Sequence, residues 1–158
     1  MRTLAMLAML FAVNAQARPP AEAALFESLR DRLVGTWTFV EDGKSYDATF
    51  EAVSHGRALL EKNSGYIAVY CPDEASVSMT LYTRDGNQPR FRATGADAAA
   101  QSIKFVFRDI TNWKNDTEHI NGLEIVFKDQ DHIVERWETL QPNGKKSTFN
   151  FELTRKRA

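Results

Sequence analysis

Residues 76–94 read SVSMTLYTRDGNQPRFRAT. Val77, Met79 and Leu81 alternate with Ser78, Thr80 and Tyr82, the two-residue period of a strand with one buried face. Arg84-Asp85-Gly86-Asn87 turns the chain, and it returns with Phe91 and Ala93 on one face and Arg90 and Arg92 on the other. The stretch reads as an antiparallel hairpin.

The pattern repeats outward in both directions. Upstream lie Gly35–Phe39, Tyr46–Val53, Arg57–Asn63 and Tyr66–Cys71; downstream lie Ile103–Asp109, Glu118–Lys128, His132–Leu140 and Thr148–Arg155. Turns rich in Gly, Asp, Asn or Pro punctuate them, among them Asp42-Gly43, Ser54-His55-Gly56, Ser64-Gly65 and Asn143-Gly144. Asn121-Gly122 interrupts one run, and Thr111–Asp116 reads as a loop. No helical pattern separates neighbouring strands, so parallel crossovers are excluded. An open sheet of about ten strands would leave long unpaired edges, and closure removes them. The prediction is all-β: an antiparallel up-and-down β-barrel of about 8–10 strands, with a two-sheet sandwich as the alternative. The one helix falls at Ala21–Val34, where Leu25, Leu29 and Leu33 recur every four residues, flanked by Phe26. Pro19-Pro20 opens it and Gly35 ends it.

Residues 1–17 have the form of a secretory signal peptide: Arg2, an apolar run from Leu4 to Val13, then Ala15-Gln16-Ala17 before the expected cut at Arg18. That leaves 18–158 as one domain, with an exported destination, periplasmic or secreted. The formal net charge of −1 argues against nucleic acid or an anionic membrane as the main partner, and no later stretch is long and apolar enough for stable membrane insertion. The C-terminal Lys145, Lys146, Arg155, Lys156 and Arg157 read as a solvated end. The single cysteine, Cys71, excludes an intramolecular disulfide and reads as buried and inert. Asn115-Asp116-Thr117 matches a glycosylation sequon, which matters only on a eukaryotic secretory route.

Gly35-Thr36-Trp37, at the first strand after a short helix, resembles the calycin superfamily of lipocalins, fatty-acid-binding proteins and their bacterial relatives. Gly86-Asn87-Gln88-Pro89-Arg90, and Asp129-Gln130-Asp131-His132 leading to Trp137 and Asn143-Gly144-Lys145, resemble small exported bacterial lipocalin-like domains of unassigned activity. The resemblance implies a barrel with an internal cavity and does not imply which molecule fills it. The chain departs from that pattern where polar His, His and Cys positions are expected, carrying Cys71, Leu81 and Thr83 instead. The departure counts against a metal site. Haem of the nitrobindin kind would need an axial His and a longer Gly-rich extension, which Thr38-Phe39-Val40 lacks.

Trp37 reads as a plug at the closed end, with an indole N–H that needs a partner. His55, His119 and His132 make no short ligand pair, so no metal is expected, and no cofactor is implied. Nothing in the spacing supports a catalytic Cys71–His119 pair. Asn87, Gln88 and Arg90 supply more polar chemistry than a turn requires. Held by Pro89, they are candidates to orient a ligand at the mouth, although parity also permits Arg90 on the outer face. Glu135 shares parity with Ile133 and Trp137, and Glu61 follows Leu59-Leu60. A carboxylate inside a barrel needs a partner. Arg57, Arg92, Arg108 or Arg136 could supply it, forming a polar anchor with Tyr46, Tyr70 or Tyr82.

The preferred reading is an exported barrel that binds a small hydrophobic or amphipathic molecule, its walls built from Phe50, Met79, Leu81, Phe91, Phe105, Phe107, Phe127 and Trp137. With the polar candidates, the predicted ligand-binding residues are Met79, Tyr82, Asn87, Gln88, Arg90, Phe91, Phe107, His119, Glu135 and Trp137. Two alternatives stand beside it. One is an isomerase- or cyclase-type enzyme using an internal Tyr, Glu or His. The other is a protein–protein adaptor with a filled core, anchored by an exposed Trp113 that otherwise serves as a lid. No P-loop, dinucleotide, G-x-S-x-G or H-E-x-x-H motif is present.

Overall fold

The hairpin at 76–94 forms as its alternation dictates: β5 (Ser76–Thr83) pairs antiparallel with β6 (Gln88–Thr94), Met79 opposite Phe91. The structure, a computed structural model, describes residues 21–73, 76–94, 101–114 and 116–157. The expected leader, Pro19-Pro20 and Asn115 of the sequon lie outside them. Upstream of the hairpin are α1 (Ala21–Leu33), β1 (Gly35–Glu41), β2 (Lys44–Val53), β3 (Ala58–Lys62) and β4 (Tyr66–Asp73). Downstream are β7 (Ser102–Thr111), β8 (His119–Phe127), β9 (His132–Leu140) and β10 (Lys146–Arg155).

Every consecutive pair of strands is antiparallel, and β1 also pairs with β10 through Trp37 opposite Arg155. The sheet is therefore a closed ten-stranded barrel, and the sandwich alternative is excluded. Asn121-Gly122 does not end a strand. The register shifts between Ile120 and Gly122, so the pair forms a bulge inside β8. Asp42-Gly43, with φ of 49° and 73°, makes the left-handed two-residue turn that suits a twisted hairpin.

Inward parity fills one end of the barrel. Phe50, Leu59, Tyr70, Met79, Phe91 and Phe105 are each no more than 1% exposed. The helix closes that end with Leu25, Phe26, Leu29 and Leu33, all buried, against β4 and β5. Burial of each such side chain is worth about 1.5–3 kcal/mol. Trp37 is the predicted plug. Its indole donates to the Leu33 carbonyl at 2.8 Å, joining the end of α1 to β1. Arg155 stacks 4.2 Å from the Trp37 ring and donates to the carbonyls of Val34 (2.7 Å), Arg32 (2.6 Å) and Gln130 (3.0 Å). Gly35 sits at φ 136° where the helix gives way to the strand, and a Cβ there would lie 2.8 Å from the Arg155 guanidinium.

Candidate functional site

The opposite half of the barrel is not filled. A cavity of about 680 Å³ opens at the end that carries the turns after β1, β3, β5 and β9. Six aromatic side chains line it: Phe39 and Tyr46 from the first hairpin, Tyr66 from β4, Trp137 from β9, and Phe149 and Phe151 from β10. Phe39 stacks on Tyr46 (centroids 5.6 Å apart) and meets Phe151 at 4.9 Å. Leu81 and Ile120 add aliphatic surface, and Asn87, His119 and Thr139 add polar atoms.

Beneath the floor, one hydrogen-bonded set crosses the lumen from β3 and β4 to β9. Glu61 faces inward opposite the small Ala68, which leaves room for its carboxyl. Tyr66 and Tyr70, two positions either side of Ala68 on the same face, converge on it. Tyr70 Oη donates to Glu61 Oε2 at 2.6 Å, and Tyr66 Oη is bonded to Glu61 Oε1. Tyr66 Oη also lies 3.1 Å from Glu135 Oε2, which accepts the Trp137 indole N–H at 3.1 Å. Glu61 is 0% exposed, Glu135 1%, and neither has a cationic partner in this set.

Counting protons requires at least one carboxyl of the pair to be protonated. The Tyr66 hydroxyl has one hydrogen and touches two carboxyl groups, so one contact requires a proton supplied by a carboxyl. Burial acts in the same direction. Desolvation raises Glu61 from its ordinary 4.5 to about 7, with the Tyr66 and Tyr70 hydrogen bonds pulling back. Desolvation, then the nearby Glu61 charge, pushes Glu135 well above the carboxylate range. Desolvation first, then the two carboxylates, raises both tyrosines, which stay protonated. Oε1 of Glu135 has no hydrogen-bond partner.

The predicted site residues separate into three groups. Trp137, His119 and Asn87 line the cavity, and Glu135 lies just behind its floor. His119 is 8% exposed, packed against the rings of Phe107 (5.2 Å) and Trp113 (5.0 Å), and its Nδ1 has no partner. Desolvation weakens its hold on a proton, partly offset by Glu118. Asn87 Oδ1 accepts the Thr83 hydroxyl at 2.8 Å, which ties the side chain to the β5–β6 turn.

The second group is core. Met79 and Phe91 are fully buried in the filled half, with Phe107 packed against them, and none of the three lines the cavity. Of the eight expected wall residues only Leu81 and Trp137 do so.

The third group points outward. Pro89, Phe91 and Ala93 take the inward positions of β6, so Gln88 bonds Thr111 (3.0 Å) and Arg90 pairs with Asp109 on the outer surface. Tyr82, next to inward Leu81, is 44% exposed. The arginines expected inside are outside as well. Arg92 and Arg108 reach Asp73, Arg136 reaches Glu124, and Arg57 is exposed at a turn. Tyrosine hydroxyls and an indole take their place at the buried carboxyls. Trp113 is half-buried on His119 rather than free, its N–H donating to the Thr117 carbonyl. Cys71 is half-buried, and desolvation raises its thiol. Among the described residues, no three His, Cys, Asp or Glu side chains gather as metal ligands.

Sequence reasoning missed the wall residues Phe39, Phe149 and Phe151, and above all Tyr66. Its signal was parity with Ala68 and Tyr70, but it opens its strand directly after Ser64-Gly65.

No family model matches the chain, and no curated protein does. Among solved structures it is similar to that of Treponema pallidum Tp0751 (pallilysin), at 17% identity and a TM-score of 0.36 over 89% of this chain and 99% of that one. A likeness that distant carries no weight for fold or function.

Proposed function

We propose that the protein is an exported, lipocalin-like binding barrel that holds a small hydrophobic or amphipathic molecule in its mouth cavity. One observation carries the reading: buried side chains fill the lumen of the helix-capped half, while about 680 Å³ of space lined by six aromatic residues stays open at the other end. A barrel built only for stability gains by filling such space, because each unfilled methyl-sized void costs on the order of 1 kcal/mol. The volume falls in the range that suits a drug-sized ligand. Native mass spectrometry of protein purified from its own host tests this. A co-purifying small molecule released on denaturation is the expected result, and an empty barrel that takes up no apolar probe overturns it.

The buried Glu61–Tyr66–Glu135 set favours a second reading, an acid–base enzyme of isomerase or cyclase type. Tyr66 is the member of that set that lines the cavity, so it would pass a proton between ligand and carboxyl pair. Recovery of the co-purified molecule chemically unchanged after prolonged incubation would dismiss this alternative.

A further inference from the structure

The charged residues that line the mouth cavity are mainly acidic, Glu41, Asp85 and Glu118 beside Arg84, while Lys44 stands opposite Glu41 and Lys145 and Lys146 lie in and after the β9–β10 turn at the same end. Beneath the floor stand Glu61 and Glu135, bonded only to tyrosine hydroxyls and an indole. Between rim and carboxyls lie electron-rich rings, with Tyr66 and Trp137 edge to face at 5.3 Å. A buried carboxyl pair with no positive partner is costly, and here a shared proton bridged by Tyr66 relieves the cost. Glu135 Oε1, in a side chain 1% exposed, is still left without a partner. A positive charge entering from the mouth meets the aromatic side chains of Tyr66 and Trp137 first, with the carboxyls bonded behind them. That order of groups attracts a cation and repels an anion.

We propose that the mouth cavity selects an amphipathic organic cation, an alkyl- or arylammonium whose charged head sits over Tyr66 and Trp137 and whose apolar body lies along Phe39, Ile120 and Phe149. The inference rests on the carrier reading and narrows its ligand class. The bound charge stabilises the ionised form of one carboxyl, so binding near neutral pH releases that carboxyl's proton to solvent while the other keeps its proton and the bridge through Tyr66. Other titratable groups near the pair are few. β4 contributes Tyr66 and Tyr70, while Phe50, Ile125 and Phe151 occupy the positions opposite Glu61 and Glu135 on β2, β8 and β10. Above the floor are His119, Tyr46 and the four charges lining the cavity. Glu61, raised toward neutrality by burial, puts the exchange in the physiological range.

The test uses three probes with one apolar body: decyltrimethylammonium, 1-decanol and decanoate. Each is titrated calorimetrically into the protein at about pH 8, below its micellar concentration. The cation should bind at least about tenfold more tightly than the alcohol, and decanoate more weakly than either. Lowering the pH to about 5.5 should weaken the cation about tenfold and leave decanol unchanged, because the probe itself does not titrate. Titrations near pH 7 in buffers of different ionisation enthalpy should show up to about one proton released per cation bound. In the protein carrying E61Q and E135Q the cation should lose both its preference and its pH dependence, with decanol binding retained. That last contrast also separates the carboxyl pair from His119, whose charging at low pH would repel the cation too. Should the double variant fail to fold, the wild-type proton release and probe ranking decide. Decanol binding as tightly as the cation overturns the cation selection and leaves the carrier reading intact, whereas failure of all three probes to bind overturns both.

Discussion

Replacing Glu61 with Gln should change how the stability of the barrel responds to pH. Glu61 sits at 0% exposure and holds its proton up to about pH 7, whereas the unfolded chain releases it near the ordinary 4.5. Between those values the folded state binds more protons than the unfolded one, so stability falls as pH rises. Each pKa unit is worth 1.36 kcal/mol, which puts the loss from Glu61 at about 3 kcal/mol across the window. Other groups act elsewhere or with the opposite sign. Asp47, Asp129 and Glu138 are held below their ordinary values of 3.8, 3.8 and 4.5, so their contribution is full above about pH 5 and is lost as the pH falls below those values. The weakened proton affinity of His119 makes stability rise with pH up to about 6.5. The wild-type curve therefore mixes signs, and the difference between wild type and E61Q removes the contributions of Asp47, Asp129, Glu138 and His119 and leaves that of the carboxyl pair. Urea unfolding at half-unit steps from about pH 5 to about pH 8 should show that difference moving by about 3 kcal/mol in favour of the variant. A difference that stays constant across the range would refute the claim that burial keeps this carboxyl protonated.

Three further expectations follow from contacts described above. Tyr66→Phe removes a hydroxyl that serves two buried carboxyls and should cost about 1–3 kcal/mol in urea unfolding, with a steeper pH dependence than wild type. Arg155→Ala removes three hydrogen bonds to loop and helix-end carbonyls and the cover on Trp37; a loss of about 2 kcal/mol and faster amide exchange over 24–34 are expected. Arg90→Ala breaks only an outer-surface pair in which both side chains are half exposed, and should change stability by less than about 1 kcal/mol and probe affinity not at all.

Local pattern was enough for most of the fold. Alternation in Val77, Met79 and Leu81 and in Ile103, Phe105 and Phe107 placed strands and inward faces, and four-residue spacing of Leu25, Leu29 and Leu33 placed the helix. Parity likewise turned Glu135 inward, and the apolar neighbours Leu59 and Leu60 marked Glu61. What parity does not carry is which strands face one another across a closed lumen. Glu61 and Glu135 come together because β3 and β4 stand across the barrel from β9, a relation set by closure and stagger rather than by neighbouring residues. The same gap explains the misplaced arginines. A charged partner was the chemical expectation for a buried carboxyl, but every candidate Arg fell on the outward register or in a turn. Asn87 and Gln88 show the limit at its smallest scale: adjacent residues of one turn, one lining the cavity and the other bonded to Thr111 outside.

The carboxyl–tyrosine crossbar divides the interior into two compartments with separate duties. Below it, tightly interlocked side chains and the docked helix act as ballast that secures the architecture. Above it, the strand ends and their short connections tolerate replacement, since little of the lower packing leans on them. Binding preferences could therefore drift or be engineered by rewriting residues 41–44, 63–65, 84–87 and 116–118, while the keel that keeps the vessel upright stays as it is.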